Sequence, residues 1–217
     1  MISIIMPTRN RPHFLREAIN AILWQDYTEW ELIIVDGGAP SQIPSDPRIR
    51  YLVQDGTGII PAVNQGLSVA SGRILNWSND DDLMAPGTLK WVSENLTPPW
   101  LWTYGKCKLI DADGNQTGIG EFGGEPWDLE AEKVRNLCPQ PSVFWRRELT
   151  EKLGGFDATP EMDLAADWDY WIRLGEIRPP LVTQRIQASY RQWDGSITVA
   201  RRGEQDQHAE AVRRKHG

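Results

Sequence analysis

Short runs of branched apolar residues that stop at polar turns narrow the fold of this chain more than any other feature. Ile2-Ser3-Ile4-Ile5-Met6 ends at Pro7, Glu31-Leu32-Ile33-Ile34-Val35 ends at Asp36-Gly37-Gly38, and Ile74-Leu75-Asn76-Trp77 runs into Asp80-Asp81-Asp82. Each run is too short for a helix and rich in strand formers, so each reads as a buried strand. Between the first two, Phe14, Leu15, Ala18, Ile19, Ile22 and Leu23 recur at helical spacing, with Pro12 in the first turn and Asn10 or Arg11 near the N-cap. A third strand is expected over residues 50–53, a helix over 61–70 and the fourth strand over 73–77. Alternation of this kind predicts an α/β fold, a mostly parallel sheet flanked by helices on both faces. Ligands of such sheets gather at the carboxyl ends of the strands, where Pro7, Thr8, Asn10, Asp36 and the aspartates converge.

After a helix expected over 86–95 the pattern changes. Residues 104–110 read as a strand and Asp111-Ala112-Asp113-Gly114-Asn115 as a hairpin turn, the start of a small antiparallel element. Gly114, Gly118, Gly120, Gly123 and Gly124 mark a stretch that either closes over a substrate or is a variable surface loop. Helices are expected over 146–153 and 164–174, and the tail from Gly203 is polar and helix-prone.

Bulk properties exclude several classes. With 217 residues, 40% apolar and 24% charged, the chain suits a single domain over 1–217 with a full core. Its net charge of -7 argues against nucleic acid as a partner. Cys107 and Cys138 form no CxxC pair, and His13, His208 and His216 are scattered, which excludes a zinc site or disulfide framework. No run approaches the roughly 20 apolar residues of a transmembrane segment, so a reduced, cytoplasmic location is expected. The basic residues Arg201, Arg202, Arg213, Arg214 and Lys215 leave two readings, a solvated helix end or peripheral contact with the inner membrane face. The eleven tryptophans either stack on sugar rings or fill the core.

The acidic triplet carries chemistry. Carboxylates crowded to about 4 Å repel by about 4 kcal/mol per pair at an effective dielectric near 20, and a divalent cation turns that repulsion into attraction. All-oxygen ligation favours Mg2+ or Mn2+ over zinc. The competing reading is a solvated acidic turn.

Taken with their neighbours, these motifs resemble the family 2 glycosyltransferases, whose fold is the Rossmann-like GT-A domain. The resemblance covers residues 2 to about 198. Its segments are Ser3-Ile4-Ile5-Met6-Pro7-Thr8-Arg9-Asn10-Arg11, Leu32-Ile33-Ile34-Val35-Asp36-Gly37-Gly38, Gly58 to Ala62 with Asn64 and Gly66, and Asp81-Asp82-Leu83-Met84-Ala85-Pro86-Gly87-Thr88-Leu89. It implies a donor half over 1–104, which binds a nucleoside-diphosphate-sugar, and an acceptor half over 105–217. In the family register Asn79-Asp80-Asp81 stands for the DxD motif, so Asp81 is the implied metal ligand, with Asn79 in place of the first acid and Asp80 able to take the ribose hydroxyls. Asp36 is implied to hold the base, because a carboxylate there can accept the N3 hydrogen of uracil or thymine or the N1 and amino hydrogens of guanine. Its alternative role is to cap the following turn.

Asp167-Trp168-Asp169-Tyr170-Trp171-Ile172-Arg173-Leu174 is similar to the helix that carries the catalytic base, with Asp167 at that position and Ala166 where relatives often have Glu. On a helix, Leu164, Trp168, Trp171 and Ile172 form an apolar stripe that Asp167 borders, while Asp169 lies about 200° away from it. Desolvation beside the stripe predicts a raised pKa and a stronger proton acceptor. The alternative for Asp167 is an acid favoured by the helix dipole. In the closing segment from Tyr190 to Thr198, Asp194 occupies a position where relatives often have His, and stands either as a metal ligand or as a lost function. Arg191 is either a diphosphate contact or a surface residue.

The reading implied by the resemblance is an inverting, metal-dependent glycosyltransferase that moves a sugar to an acceptor hydroxyl, in glycan or polysaccharide biosynthesis. Two rivals belong to other classes. A catalytically silent nucleotide-sugar or glycan binding module would keep the fold without turnover, and a sugar-phosphate nucleotidyltransferase would carry a Gly-rich phosphate loop where this chain has Pro7-Thr8-Arg9-Asn10-Arg11.

Overall fold

The computed structural model describes residues 1–120 and 126–217. Strand β1 (Ile2–Thr8) is buried along its whole length, as is β2 (Trp30–Asp36). With β3 (Ile49–Val53) and β4 (Ile74–Trp77) they make the parallel part of the sheet, in the order β3-β2-β1-β4. Register sets the function: Thr8 lies opposite Asp36, Asp36 opposite Val53, and Ile5 opposite Trp77. The loops after β1, β2 and β4 therefore open on one edge.

Helices α1 (Pro12–Leu23), α2 (Ile59–Val69) and α3 (Thr88–Asn95) complete this part. Pro12 opens α1 after an Arg11 N-cap. Alternate residues of the strands feed two cores. Ile4, Met6, Leu32 and Ile34 pack with Leu15, Ile19 and Ile22 of α1 and Leu89 and Val92 of α3. Ile5, Ile33 and Val35 pack with Ile60, Val63 and Leu67 of α2.

The second core does not stop at the parallel strands. It continues through Trp102, Tyr104, Trp145, Phe156, Tyr170 and Trp171, all buried. These residues come from β6 (Trp102–Ile110), β8 (Phe144–Arg146) and α6 (Ala166–Ile177), and from the loop after α5 (Arg147–Leu153). Most of the tryptophans are thus core residues. Fixed edge-to-face contacts, such as Trp145 with Trp171 at 5.7 Å between centroids, join them.

Several elements differ from the sequence expectation. The two-residue β5 (Leu83–Met84), the short helix α4 (Leu129–Val134) and the eleven-residue β9 (Leu181–Arg191) carry too little periodicity to be read in advance. β9 joins the sheet by tertiary pairing, parallel to β6 and antiparallel to β5. The hairpin at Asp111 forms between β6 and β7 (Gln116–Ile119). The helix expected from Arg146 starts one residue later, because Arg146 ends β8 and pairs with Ile74 of β4. Helix α6 starts at Ala166, after turns in which the Leu164 amide donates to His208 Nδ1 at 3.0 Å. Gly123 and Gly124 lie outside the described residues.

After α7 (Ile197–Ala200), α8 (Arg202–His216) packs Ala211 and Val212 against Met162, Trp168 and Ile172. Three of its basic residues bond to the body of the protein, while Arg202 and Arg214 are exposed. Lys215 pairs with Asp157 and Asp169 at 2.9 and 2.8 Å, His216 lies 2.8 Å from Asp169, and Arg213 donates to the Val134 carbonyl at 2.9 Å. Asp169 also holds Arg173 at 2.9 Å, so this buried acid anchors the tail.

Candidate active site

The loop after β4 is built from side chains that hold each other. Thr8 Oγ1 donates to Asp80 Oδ2 at 2.7 Å, and Arg11 Nη1 reaches Asp80 at 3.2 Å and Asp81 at 3.0 Å. Asp82 is buried, accepting the Arg191 amide at 2.9 Å and the Asn79 amide at 3.3 Å. Asn79 also donates to Gln140 at 2.9 Å and accepts the Trp77 indole N–H at 2.9 Å. Its carboxamide thus stitches the loop to the later half of the chain.

Charge is in excess here. Burial, then the neighbouring Asp81 charge, push Asp80 up to about 6 in spite of Thr8 and Arg11. Burial and Asp81 likewise hold the Asp82 carboxyl well above its ordinary range. Arg11 is the single cation within salt-bridge distance of the triplet among the described residues.

Arg191 lies beneath the loop, not in it. It is fully buried, donating to the carbonyls of Asp81, Asp111 and Ala112 at 2.8, 3.1 and 2.8 Å and to Glu17 at 2.6 Å. Protein acceptors hold the guanidinium that the motif alone offered to a diphosphate. Arg11, which the motif reading left without a role, is the guanidinium at the acids, and it stacks over Trp193 at 5.2 Å. Trp193 donates to Asp81 Oδ2 at 3.0 Å and Arg11 reaches the Gly195 carbonyl at 3.3 Å, so Asp194 stands on a loop with one neighbour on Asp81 and the other on Arg11.

β1 runs through Pro7 to Thr8, and Asn10 in the loop beyond adopts a left-handed φ of 56°. Its Oδ1 accepts the Ala39 amide at 2.9 Å, which draws the β1 and β2 loops together. A Cβ at Gly38 would come within 2.3 Å of Asn10, so this approach needs glycine. Asp36 is buried with both oxygens engaged: Oδ1 by the Gly38 amide at 2.8 Å, Oδ2 by Ser41 at 2.7 Å and Tyr51 at 2.8 Å. The turn-capping role is present. Asn64 bonds the Phe156 backbone through both ends of its amide, at 2.8 and 2.9 Å, and so straps α2 to the loop after α5.

Asp167 sits in the first turn of α6, half-buried between Ala166 and Trp168. Burial pushes its carboxyl up to about 6, opposed by the amides at the helix start and by the Asn136 side chain. No cation pairs with it among the described residues. Tyr190 connects the two acidic regions: burial pushes its phenol up to about 12, and the charges of Asp82, Asp81 and Asp167 all add to the rise. The charges of both acidic regions thus act on one side chain, the Tyr190 phenol. The motif reading quoted Tyr190 without giving it a role.

Among the described residues, no group of three or more His, Cys, Asp or Glu side chains is set to hold a metal ion unaided. The donor set still fits a hard cation of the kind that takes one or two carboxylates and completes its shell from phosphate and water. Asp81 Oδ1 accepts no hydrogen bond from the described residues, and the oxygens around it outnumber the one guanidinium.

A parallel nucleotide-type half, an acidic loop after its fourth strand and a helix acid from a mixed second half define a GT-A glycosyltransferase fold. Residues 3–99 match the model of the family described as glycosyl transferase family 2. It is 28% identical over 187 residues to the putative colanic acid biosynthesis glycosyl transferase WcaA of Escherichia coli, covering 80% of this chain and 66% of that protein. Two solved structures share the fold. TarS 1-349 of S. aureus in complex with UDP-GlcNAc superposes with a TM-score of 0.66 at 18% identity, covering 90% of this chain and 59% of that one. The mannosyltransferase PcManGT of Pyrobaculum calidifontis, in complex with GDP-Man and Mn2+, gives a TM-score of 0.66 at 18% identity, covering 98% and 64%. The chain therefore spans just under two thirds of these relatives. No helix among the described residues is long and apolar enough to cross a membrane.

Proposed function

We propose that this protein is an inverting, metal-dependent glycosyltransferase of glycan or polysaccharide biosynthesis, moving a sugar from a nucleoside-diphosphate-sugar to an acceptor hydroxyl. The observation that carries the reading is the pair of unlike acids around Tyr190. One is a clustered set with excess negative charge; the other is a lone carboxylate raised to about 6.

Each residue then has a task. Asp36, with Pro7, Thr8 and Asn10 along the adjoining loop, lines the base and ribose end of the donor, and Asn79 and Asp80 border the ribose. Asp81 would hold Mn2+ or Mg2+ together with the donor diphosphate, with Asp194 as a further ligand from its loop. The bound cation supplies charge neutralisation at the leaving diphosphate. Arg11, which bridges Asp80 and Asp81, would offer its guanidinium to the diphosphate. Arg191 keeps the Asp81 backbone in place from below. Asp167 takes the proton of the acceptor hydroxyl, which then attacks the anomeric carbon opposite the diphosphate and inverts it. A base that titrates near 6 is mostly anionic at neutral pH. Solved relatives bound to UDP-GlcNAc and to GDP-Man with Mn2+ support donor chemistry of this class.

The test is direct. A thermal-shift panel of UDP-, GDP- and dTDP-sugars with and without Mn2+ identifies the donor, since ligand at 100 times its Kd adds about 2.7 kcal/mol to stability. With that donor, Asp167→Asn is expected to bind normally and lose about 10²-fold or more in transfer. Near-normal turnover would move the base elsewhere. Asp81→Ala is expected to lose Mn2+-dependent donor affinity in calorimetry. Donor binding with no acceptor-dependent release of nucleoside diphosphate by the unmodified protein would favour the silent binding module.

A further inference from the structure

Asp167 is met by a segment that the function described so far does not use. Helix α4 is capped by Asp128, whose carboxylate accepts the Ala131 amide at 2.8 Å, and ends at Arg135. At the next position, Asn136 Oδ1 accepts the Cys138 amide at 3.1 Å. That bond fixes which end of the carboxamide points where, and it leaves Nδ2 facing Asp167 Oδ2 at 3.4 Å. Catalytic hydrogen bonds are often long before substrate binds.

The turn carrying Asn136 is itself held from within. Glu132 is completely enclosed, and its carboxyl oxygens accept the Trp127 indole N–H at 2.9 Å and the Leu137 amide at 3.3 Å, with Cys138 Sγ 3.4 Å away. Its backbone carbonyl accepts the Trp168 indole N–H at 2.6 Å. Two successive residues of α6, Asp167 and Trp168, are thus gripped by one short segment. A structural brace for α6 would need only the Trp168 bond. The additional contact falls on the carboxylate.

We infer that Asn136 is a positioning residue for the base: its neutral amide orients the Asp167 carboxylate toward the acceptor hydroxyl. The inference rests on the reading of Asp167 as that base. A neutral donor suits the task better than Lys or Arg, because a full positive charge would favour the anion strongly and weaken it as a proton acceptor. An amide fixes direction with a smaller penalty to basicity.

The experiment follows the Asp167 carboxyl by carbon NMR titration in the full chain, alongside the pH profile of kcat/KM, for Asn136→Ala and Asn136→Asp. Loss of one hydrogen bond to the anion is expected to raise the midpoint by about half to one pH unit. The acid limb of kcat/KM should move with it, and donor KM should stay unchanged. Asn136→Asp keeps the side-chain volume, so it serves if the alanine variant folds poorly, and its like charge is expected to raise the midpoint further. Unmoved midpoints and limbs in both variants, with Asp167→Asn inactive, would overturn the role of Asn136 and leave the base in place. Full turnover by Asp167→Asn would take both readings down.

Discussion

Along β1 and β2 every residue is buried and the parallel register runs without interruption from Ile2 opposite Trp30 to Thr8 opposite Asp36. β6 meets β9, by contrast, through two register shifts between Tyr104 and Cys107, and β9 is mostly half-exposed. The regular half ends in loops that gather charge, while the irregular half delivers a single acid into apolar surroundings. Regular strands suffice to bring loops to one edge. Fixing the position of that carboxylate takes long-range contacts, among them the aromatic core, the Asn64 strap and the segment around Glu132.

The largest expected effect tests whether the two halves share one core. Trp171→Ala, at a fully buried ring touching Trp102, Trp145 and Phe156, should destabilise the protein by about 3–5 kcal/mol in denaturant unfolding, in a single transition. A separate early transition confined to residues 105–217 would break the comparison. Trp171→Phe should lose much less, because the indole N–H has no acceptor among the described residues.

Next comes Glu132, whose carboxyl burial pushes from 4.5 up to about 7. A carboxyl raised on folding stabilises fully below its unfolded pKa, and that contribution fades as pH climbs through the folded value. Stability should therefore fall by up to roughly 3 kcal/mol between pH 4.5 and 7 from this group. Glu132→Gln should flatten that slope in thermal unfolding at a series of pH values; an unchanged slope would assign it to other groups. The smallest effect is Asn64→Ala, expected at about 1–2 kcal/mol for the two bonds to Phe156. Double-mutant cycles with a Phe156 substitution should show coupling if the strap joins the halves.

What the sequence made legible follows the same division. Strands β1, β2 and β4 and helix α1 were readable because burial on both sheet faces writes continuous apolar runs, and one buried helix face writes a 3.6-residue period. β9 was not, since Leu181-Val182-Thr183-Gln184-Arg185 is partly exposed and is held by pairing with β6, a partner almost eighty residues earlier. Strand pairing between distant segments leaves no local pattern. The acids of the site were legible as residue types in motifs. Their partners were less so: Arg11 was one arginine among several, and Asn136 stands outside any motif. The placement of Arg191 under the loop depends on Glu17, Asp81 and the Asp111-Ala112 turn arriving from three separate segments. The basic tail read as a surface feature, and only the packing of α8 shows Lys215 and His216 turned to Asp169.

Arg191 also bears on the order in which the molecule can be made. By the time residues 1–95 have left a ribosome, the parallel strands and their three helices exist, but the aspartates after β4 lack their anchor, because Asp82 is held by an amide 109 positions further along. Domains consolidate as their chains emerge. A nascent fragment, or a nonsense product ending before β9, would thus own all three aspartates, with Thr8 and Arg11 on the first two and no Arg191 amide to hold Asp82.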